Sequence, residues 1–178
     1  MKLFYKSIAL LLIFFSLIIL AQNNPPRLSP RSYVGQTIGY TNVEVKYGSP
    51  GVKNRKIWGE LVPYNKVWRT GADEATTIEF EKDVIIKNKK IPAGIYSLFT
   101  IPTEKEWTII LNKVYDQWGA FKYNQKEDLY RFKVTPKQNS FMERLQFNFD
   151  YKAPYITEVN IEWEKIKVSF EINSEIKK

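Results

Sequence analysis

The chain has no histidine and no cysteine among its 178 residues. Without histidine there is no Ser-His-Asp triad, no Cys-His pair and no imidazole general base. Nearly every zinc, copper or non-haem iron site loses its usual ligand as well. Without cysteine there are no disulfides, no thiol nucleophile and no thiolate metal site. What survives is carboxylate, Lys, Tyr or Arg chemistry, oxygen-ligated calcium or magnesium, or no chemistry at all. No Asp-x-Asp-x-Asp-Gly loop supports calcium. No phosphate-binding glycine loop, dinucleotide fingerprint or metal-ligand spacing is present either. Gly35 with Gly39 and Gly48 with Gly51 are turn punctuation. The sequence therefore calls for no cofactor and no metal. It also lacks internal repeats, low-complexity runs and any convincing amphipathic helix.

The start of the chain is specific. Lys2 and Lys6 precede an apolar run from Ile8 to Leu20, broken only by Ser16; Ala21 follows, and then polar Gln22-Asn23-Asn24 and Pro25-Pro26. A positive start, a short apolar run and a small residue before a polar break describe a secretory signal peptide. The run is too short for a comfortable membrane span, which needs about 20 residues. An uncleaved anchor is the alternative, and the bulky Ile19 keeps it open. Residues 1–21 are expected to be the signal peptide, 22–30 a loosely ordered polar leader, 31–173 one domain and 174–178 a frayed tail. Without the first 21 residues, 157 of the 178 remain, enough for one domain with a sizeable core. An exported chain without cysteine suits a bacterial envelope, periplasmic or secreted. No membrane span is expected after cleavage.

The formal net charge is +8, and +6 once Lys2 and Lys6 are removed. A basic chain can bind nucleic acid, acidic glycan or anionic membrane. Here the lysines fall along strands at alternating positions, such as Lys165 and Lys167, which fits a solvated sheet face. With export and no recognition motif, no nucleic-acid partner is expected.

Alternation of period two dominates the rest. It runs through Val43, Val45 and Tyr47, through Thr76, Ile78 and Phe80, and through Tyr130, Phe132 and Val134. It recurs through Leu145, Phe147 and Phe149, through Val159, Ile161 and Trp163, and from Ile166 to Ile172. Each such run is a half-buried antiparallel strand. Ile95 to Ile101 and Trp107 to Leu111 are more continuously apolar, as central strands covered on both faces are. They form a hairpin across Pro102 and Thr103 to Glu106. Val84 to Ile86 and Lys90-Ile91 flank a second turn. Nine or ten strands make an all-β fold, an antiparallel two-layer β-sandwich, with a partly closed barrel as runner-up. One helical turn is expected around Tyr115 to Trp118.

The segment from Tyr47 to Thr77 is long for a loop and too rich in Trp, Tyr, Ile and Val to be disordered. It is read as an ordered surface with candidate ligand-binding residues. Trp58 and Trp68 offer aromatic platforms, or else plug the open end of the sandwich. Arg55 and Arg69 can grip a carboxylate or phosphate bidentately, or Arg69 can pair with Asp73 or Glu74 to hold the loop. Thr70 and Gly71 suggest a sharp turn exposing N–H groups to an anion. Glu60, Asp73 and Glu74 could serve as an acid/base set, though nothing fixes their separation. Trp118, before Gly119, is a further platform that shares a cleft with Arg69 if both loops close the same end.

A series of motifs is recognisable. It includes Leu28-Ser29-Pro30, Lys53 to Gly59, Leu61-Val62-Pro63-Tyr64, Val67 to Ala72 and Glu74-Ala75-Thr76-Thr77. Pro92 to Phe99, Trp107 to Lys113 and Gln117-Trp118-Gly119-Ala120 complete it. In these the chain resembles the secreted bacterial domain-of-unknown-function family numbered twenty-nine eleven, from about Leu28 to the last strand. The resemblance implies an exported β-rich protein and brings no catalytic residues. It also implies Asn where this chain has Asp73; an ionised Asp73 accepts hydrogen bonds only.

The expected function is non-enzymatic binding of a small polar or anionic ligand, or a glycan fragment, in a cleft of Arg55, Trp58, Arg69, Thr70, Asp73, Glu74 and Trp118. The alternatives are an envelope scaffold holding a protein partner by a sheet edge or the aromatic loop, and a hydrolase using Glu60 with Asp73 or Glu74.

Overall fold

The alternating runs become strands because each places its apolar residues on one face, and two such faces bury each other. The computed structural model describes residues 25–175; the expected signal peptide lies outside them. The strands are β1 (Arg31–Ile38), β2 (Thr41–Gly48), β3 (Thr77–Phe80), β4 (Val84–Ile86), β5 (Lys89–Ile91), β6 (Gly94–Ile101), β7 (Trp107–Asn112), β8 (Asp128–Val134), β9 (Lys137–Ala153) and β10 (Ile156–Asn173). All pair antiparallel, in a six-stranded sheet ordered β1-β2-β3-β6-β7-β8 and a four-stranded sheet ordered β5-β4-β10-β9. The fold is a two-layer β-sandwich, and the sheets do not close into a barrel. Among the described residues no helix is long and apolar enough to cross a membrane.

The core lies between the sheets. Val43, Val45, Ile78, Leu98 and Leu111 meet Leu145, Val159, Trp163 and Phe170, all nearly or fully inaccessible. Each such side chain contributes about 1.5–3 kcal/mol by leaving water. β6 and β7 are apolar on both faces for a visible reason. Phe99 and Ile110 point away from the main core into a small second one, with Ala75, Val67, Ala120 and Tyr123. The segment 113–124 packs there, over the outer face of the six-stranded sheet. Ser49 to Val52 then ties the two sheets together: Val52 N–H donates to Glu143 O at 2.7 Å and Leu145 N–H to Pro50 O at 3.0 Å.

The structure differs from the sequence reading in four places. β1 gave no signal, because as an edge strand it has intermediate or exposed residues everywhere but Ile38. The runs ending at Trp163 and starting at Ile166 belong to one strand; a bulge at Glu164, with φ 55°, absorbs the phase change. Tyr115 to Trp118 is not helical. Among the described residues the one helical turn is a 3-10 turn at Gln125–Glu127, where the Asn124 side chain accepts from Lys126 N–H. The leader is held rather than loose from Arg27 onward: Arg27 binds Glu74 through two hydrogen bonds, and Pro30 O accepts from Ser49 N–H.

Candidate functional site

Two loops carry the site. Residues 69–76 end the long connection into β3, and residues 113–124 connect β7 to β8. The first is sewn to the scaffold. Trp68 and Thr100 exchange backbone hydrogen bonds at 2.8 and 2.9 Å, Ala72 N–H donates to Gly48 O at 3.2 Å, and Leu98 N–H donates to Thr76 O at 2.8 Å. The second is sewn to the first: Ala75 N–H donates to Gln117 O and Gly119 N–H to Asp73 O, each at 3.0 Å. Ser97 Oγ holds Val114 O at 2.8 Å. Both loops are thus fixed by backbone and by buried hydroxyls.

Between the first loop, the leader and residues 51–55 lies a cleft of about 500 Å³. Arg27, Lys53, Arg55 and Arg69 line it, with Asp73 as its acid and Trp118 as a wall. Arg55 is steadied by the carbonyls of Val52 (3.1 Å) and Gly51 (2.6 Å). Among the described residues Lys53, Arg55 and Arg69 form no ion pair. Arg69 is the notable one. Its Nε is buried without a hydrogen-bond partner. Burial pushes its guanidinium below its ordinary value, with the charge of Asp73 opposing the shift. A partly desolvated cation without an ion-pair partner favours an incoming anion.

Glu74 stands at the rim. It accepts from Arg27 Nη1 and Nη2 at 2.8 and 2.7 Å and faces Arg31 Nη1 at 2.8 Å. The hydrogen bonds from Arg27 hold its carboxyl down at about 2, against some opposition from burial. On the far side of this bridge is a larger groove of about 780 Å³ on the outer face of β2, β3 and β6, walled by Tyr115, Trp118 and Phe121. Trp118 belongs to both depressions.

Arg55, Arg69, Asp73 and Trp118 are therefore brought together, and Glu74 is beside them. Two candidates are not. Trp58 packs edge-on against Trp68, Trp107 and Trp163, with centroids 5.9, 4.8 and 5.8 Å away, half-buried against the edge of the core. Thr70 is fully buried, its hydroxyl bonded to Thr100 Oγ1 at 3.1 Å. The sharp turn falls at Thr70 (φ 55°) and Asp73 (φ 62°), not at Gly71. Gly71 is needed for space: a Cβ there would come within 2.8 Å of Thr76 Oγ1 and 3.0 Å of Gly48 O. The N–H groups of Ala72, Ala75 and Thr76 are spent within the protein. Glu60 is exposed, pairs with Lys56 at 2.9 Å and lines neither depression, so the three acids do not gather. Among the described residues no group of acids is arranged to hold a metal ion.

A family model described as a protein of unknown function, DUF2911, matches residues 29–172. The chain belongs to the DUF2911 family. No curated protein and no solved structure matches it. The DUF2911 span takes in both loops and all ten strands but for the last residue of β10, while Arg27 lies just outside it. Position 73 of this DUF2911 chain adopts the left-handed backbone that Asp and Asn both tolerate. That conformational need accounts for either residue there without a ligand contact.

Sequence reasoning missed Arg27, Arg31, Lys53 and Tyr115, and it took in Phe121 only as the end of the candidate segment Asp116–Phe121 around Trp118. For the two rings a signal existed: with Trp118 they recur every third residue in a segment without strand alternation.

Proposed function

We propose that this DUF2911 protein is exported and binds a small anion, a carboxylate or phosphate, in the basic cleft around Arg69, without catalysis. The observation that carries the reading is a cleft lined by four cations, Arg27, Lys53, Arg55 and Arg69, against one acid, with Arg69 in no ion pair among the described residues. A bidentate anion meets a guanidinium edge-on and offsets the excess positive charge of the lining. The volume of about 500 Å³ suits a small organic ligand. Export is supported by the Lys2, Lys6, Ile8–Leu20 and Ala21 pattern at the start of the chain.

The test is thermal denaturation against carboxylates, sugar acids and phosphates. A ligand at one hundred times its Kd stabilises by about 2.7 kcal/mol, which for a chain of this size raises Tm by roughly 5–11 °C. The rise should vanish in Arg69→Met, whose own Tm should stay within about 2 °C of wild type, because the change removes a poorly satisfied cation. A flat screen at millimolar anion refutes the proposal. A large drop in the Tm of Arg69→Met would instead make Arg69 structural.

A further inference from the structure

The groove beyond the Arg27–Glu74–Arg31 bridge differs in chemistry from the cleft. Its floor is the outward face of the sheet, where Glu44, Lys46, Thr77 and Glu79 present donors and acceptors side by side. Lys46 is already paired with Glu44. The lining holds Arg31, Lys46 and Lys122 against Glu44, Glu74, Glu79 and Asp116, so it carries almost no net charge. Unlike the cleft, it does not select an anion.

Its wall is aromatic and open. Tyr115, Trp118 and Phe121 are 48%, 58% and 84% exposed. Large rings left this open on a loop whose backbone is fixed offer rigid apolar area at low entropic cost. A peptide strand has little to use here, since the floor is a sheet face whose backbone groups are already paired across β1, β2, β3 and β6. A sugar unit fits better. Its C–H face packs on a ring, and its hydroxyls both donate to carboxylates and accept from Lys or Thr.

Trp118 joins the two depressions, and Glu74 in the groove is bonded to Arg27 in the cleft. We infer that the ligand is an acidic oligosaccharide, with its acid group over Arg69, one ring stacked on Trp118 and neutral units running along the groove past Phe121 and Tyr115. The inference rests on the anion-binding reading of the cleft and extends it.

The experiment is binding of the purified protein to an array of neutral and uronate- or sialate-bearing oligosaccharides, disaccharides to octasaccharides. The free sugar acids and acidic peptides of matching charge are titrated alongside. Acidic oligosaccharides should be retained and neutral ones of equal length should not, with affinity for the best of them at least about tenfold above its free sugar acid. The double variant Tyr115→Ala with Phe121→Ala should lose that gain with length and keep the affinity for the free acid. Trp118→Ala should weaken both. These side chains are solvent-facing, and unchanged melting confirms the fold. If free acids stabilise the protein but no oligosaccharide binds more tightly, the groove proposal is overturned and the cleft stands. If an acidic peptide binds as tightly as the best sugar, the proposal is overturned in favour of a protein partner. If nothing anionic binds at all, the cleft reading fails with it.

Discussion

Gly48→Ala should damage both stability and binding, because the loop that carries Arg69, Asp73 and Glu74 leans directly on Gly48. A Cβ there would lie 2.2 Å from the Ala72 carbonyl oxygen and 2.9 Å from its carbon. Real Cβ atoms do not approach backbone closer than about 3.0 Å, so the carbonyl must retreat by about an ångström. Overpacking of this kind costs about 1–3 kcal/mol, and the strained hydrogen bond from Ala72 N–H to Gly48 O adds about 1 kcal/mol. A loss of about 2–4 kcal/mol lowers Tm by roughly 4–16 °C for a domain of this length. Gly35→Ala is the control in the neighbouring strand. Its nearest neighbour would be Val43 O at 3.5 Å, an ordinary contact, and a compatible Gly→Ala change is worth about 0.4–1 kcal/mol in the stabilising direction. Thermal denaturation of both variants, followed by anion titration well below the lower Tm, reads the two effects. Equal Tm values for the two would refute the argument that Gly48 is required for the close approach of the loop.

Glu74→Gln should flatten acid denaturation. The carboxyl is held at about 2 against an ordinary 4.5, so its contribution is complete above pH 4.5 and is lost as pH falls towards about 2. The variant should therefore melt about 2–4 °C lower at pH 7, a modest loss because the arginine partners are half exposed, and should approach wild type near pH 2. An unchanged gap across that range would sink the linkage. N-terminal sequencing of the protein recovered from cells should return Gln22 first; Met1 would refute export with cleavage at Ala21.

The fold was legible wherever burial was one-sided, since one apolar face in two yields a period the eye can count. Ile95 to Ile101 and Trp107 to Leu111 even announced their second covered face, because Phe99 and Ile110 interrupt the alternation with further apolar residues. β1 was hidden because an edge strand with a polar outer face has little to alternate. The β10 bulge was hidden because a phase slip and a chain break look alike in sequence. The site was legible in part. Arg55, Arg69, Asp73 and Trp118 meet, yet Trp58 and Thr70 have the same residue types as binding groups, and one packs half-buried against the core while the other is fully buried. Only tertiary packing distinguishes a platform from a plug. Arg27 and Arg31 sat in a segment without pattern, and nothing local ties them to Glu74, more than forty residues away.

The titration behaviour of the folded chain bears on binding against catalysis. General acid–base work at neutral pH needs a group moved towards pH 7. Here the shifts run the other way. Glu74, Asp83 and Asp150 are moved down, chiefly by hydrogen bonds from Arg27, Lys90 and Asn160 respectively. Tyr64 and Tyr96 are moved up by burial, as is Tyr123, to about 12. Tyr123 is in any case committed to Asp128 and Arg131 and lines neither depression. Lys46 and Lys56 are moved up by their glutamate partners. Glu60 pairs with Lys56 away from both depressions, so the carboxylate pair a hydrolase would need, Glu60 with Asp73 or Glu74, is not gathered here. Arg69 is moved down, but a guanidinium stays charged throughout the physiological range. Fixed charge, rigid loops and open rings are the equipment of recognition, and they favour the reading in which this surface holds its ligand and leaves it unchanged.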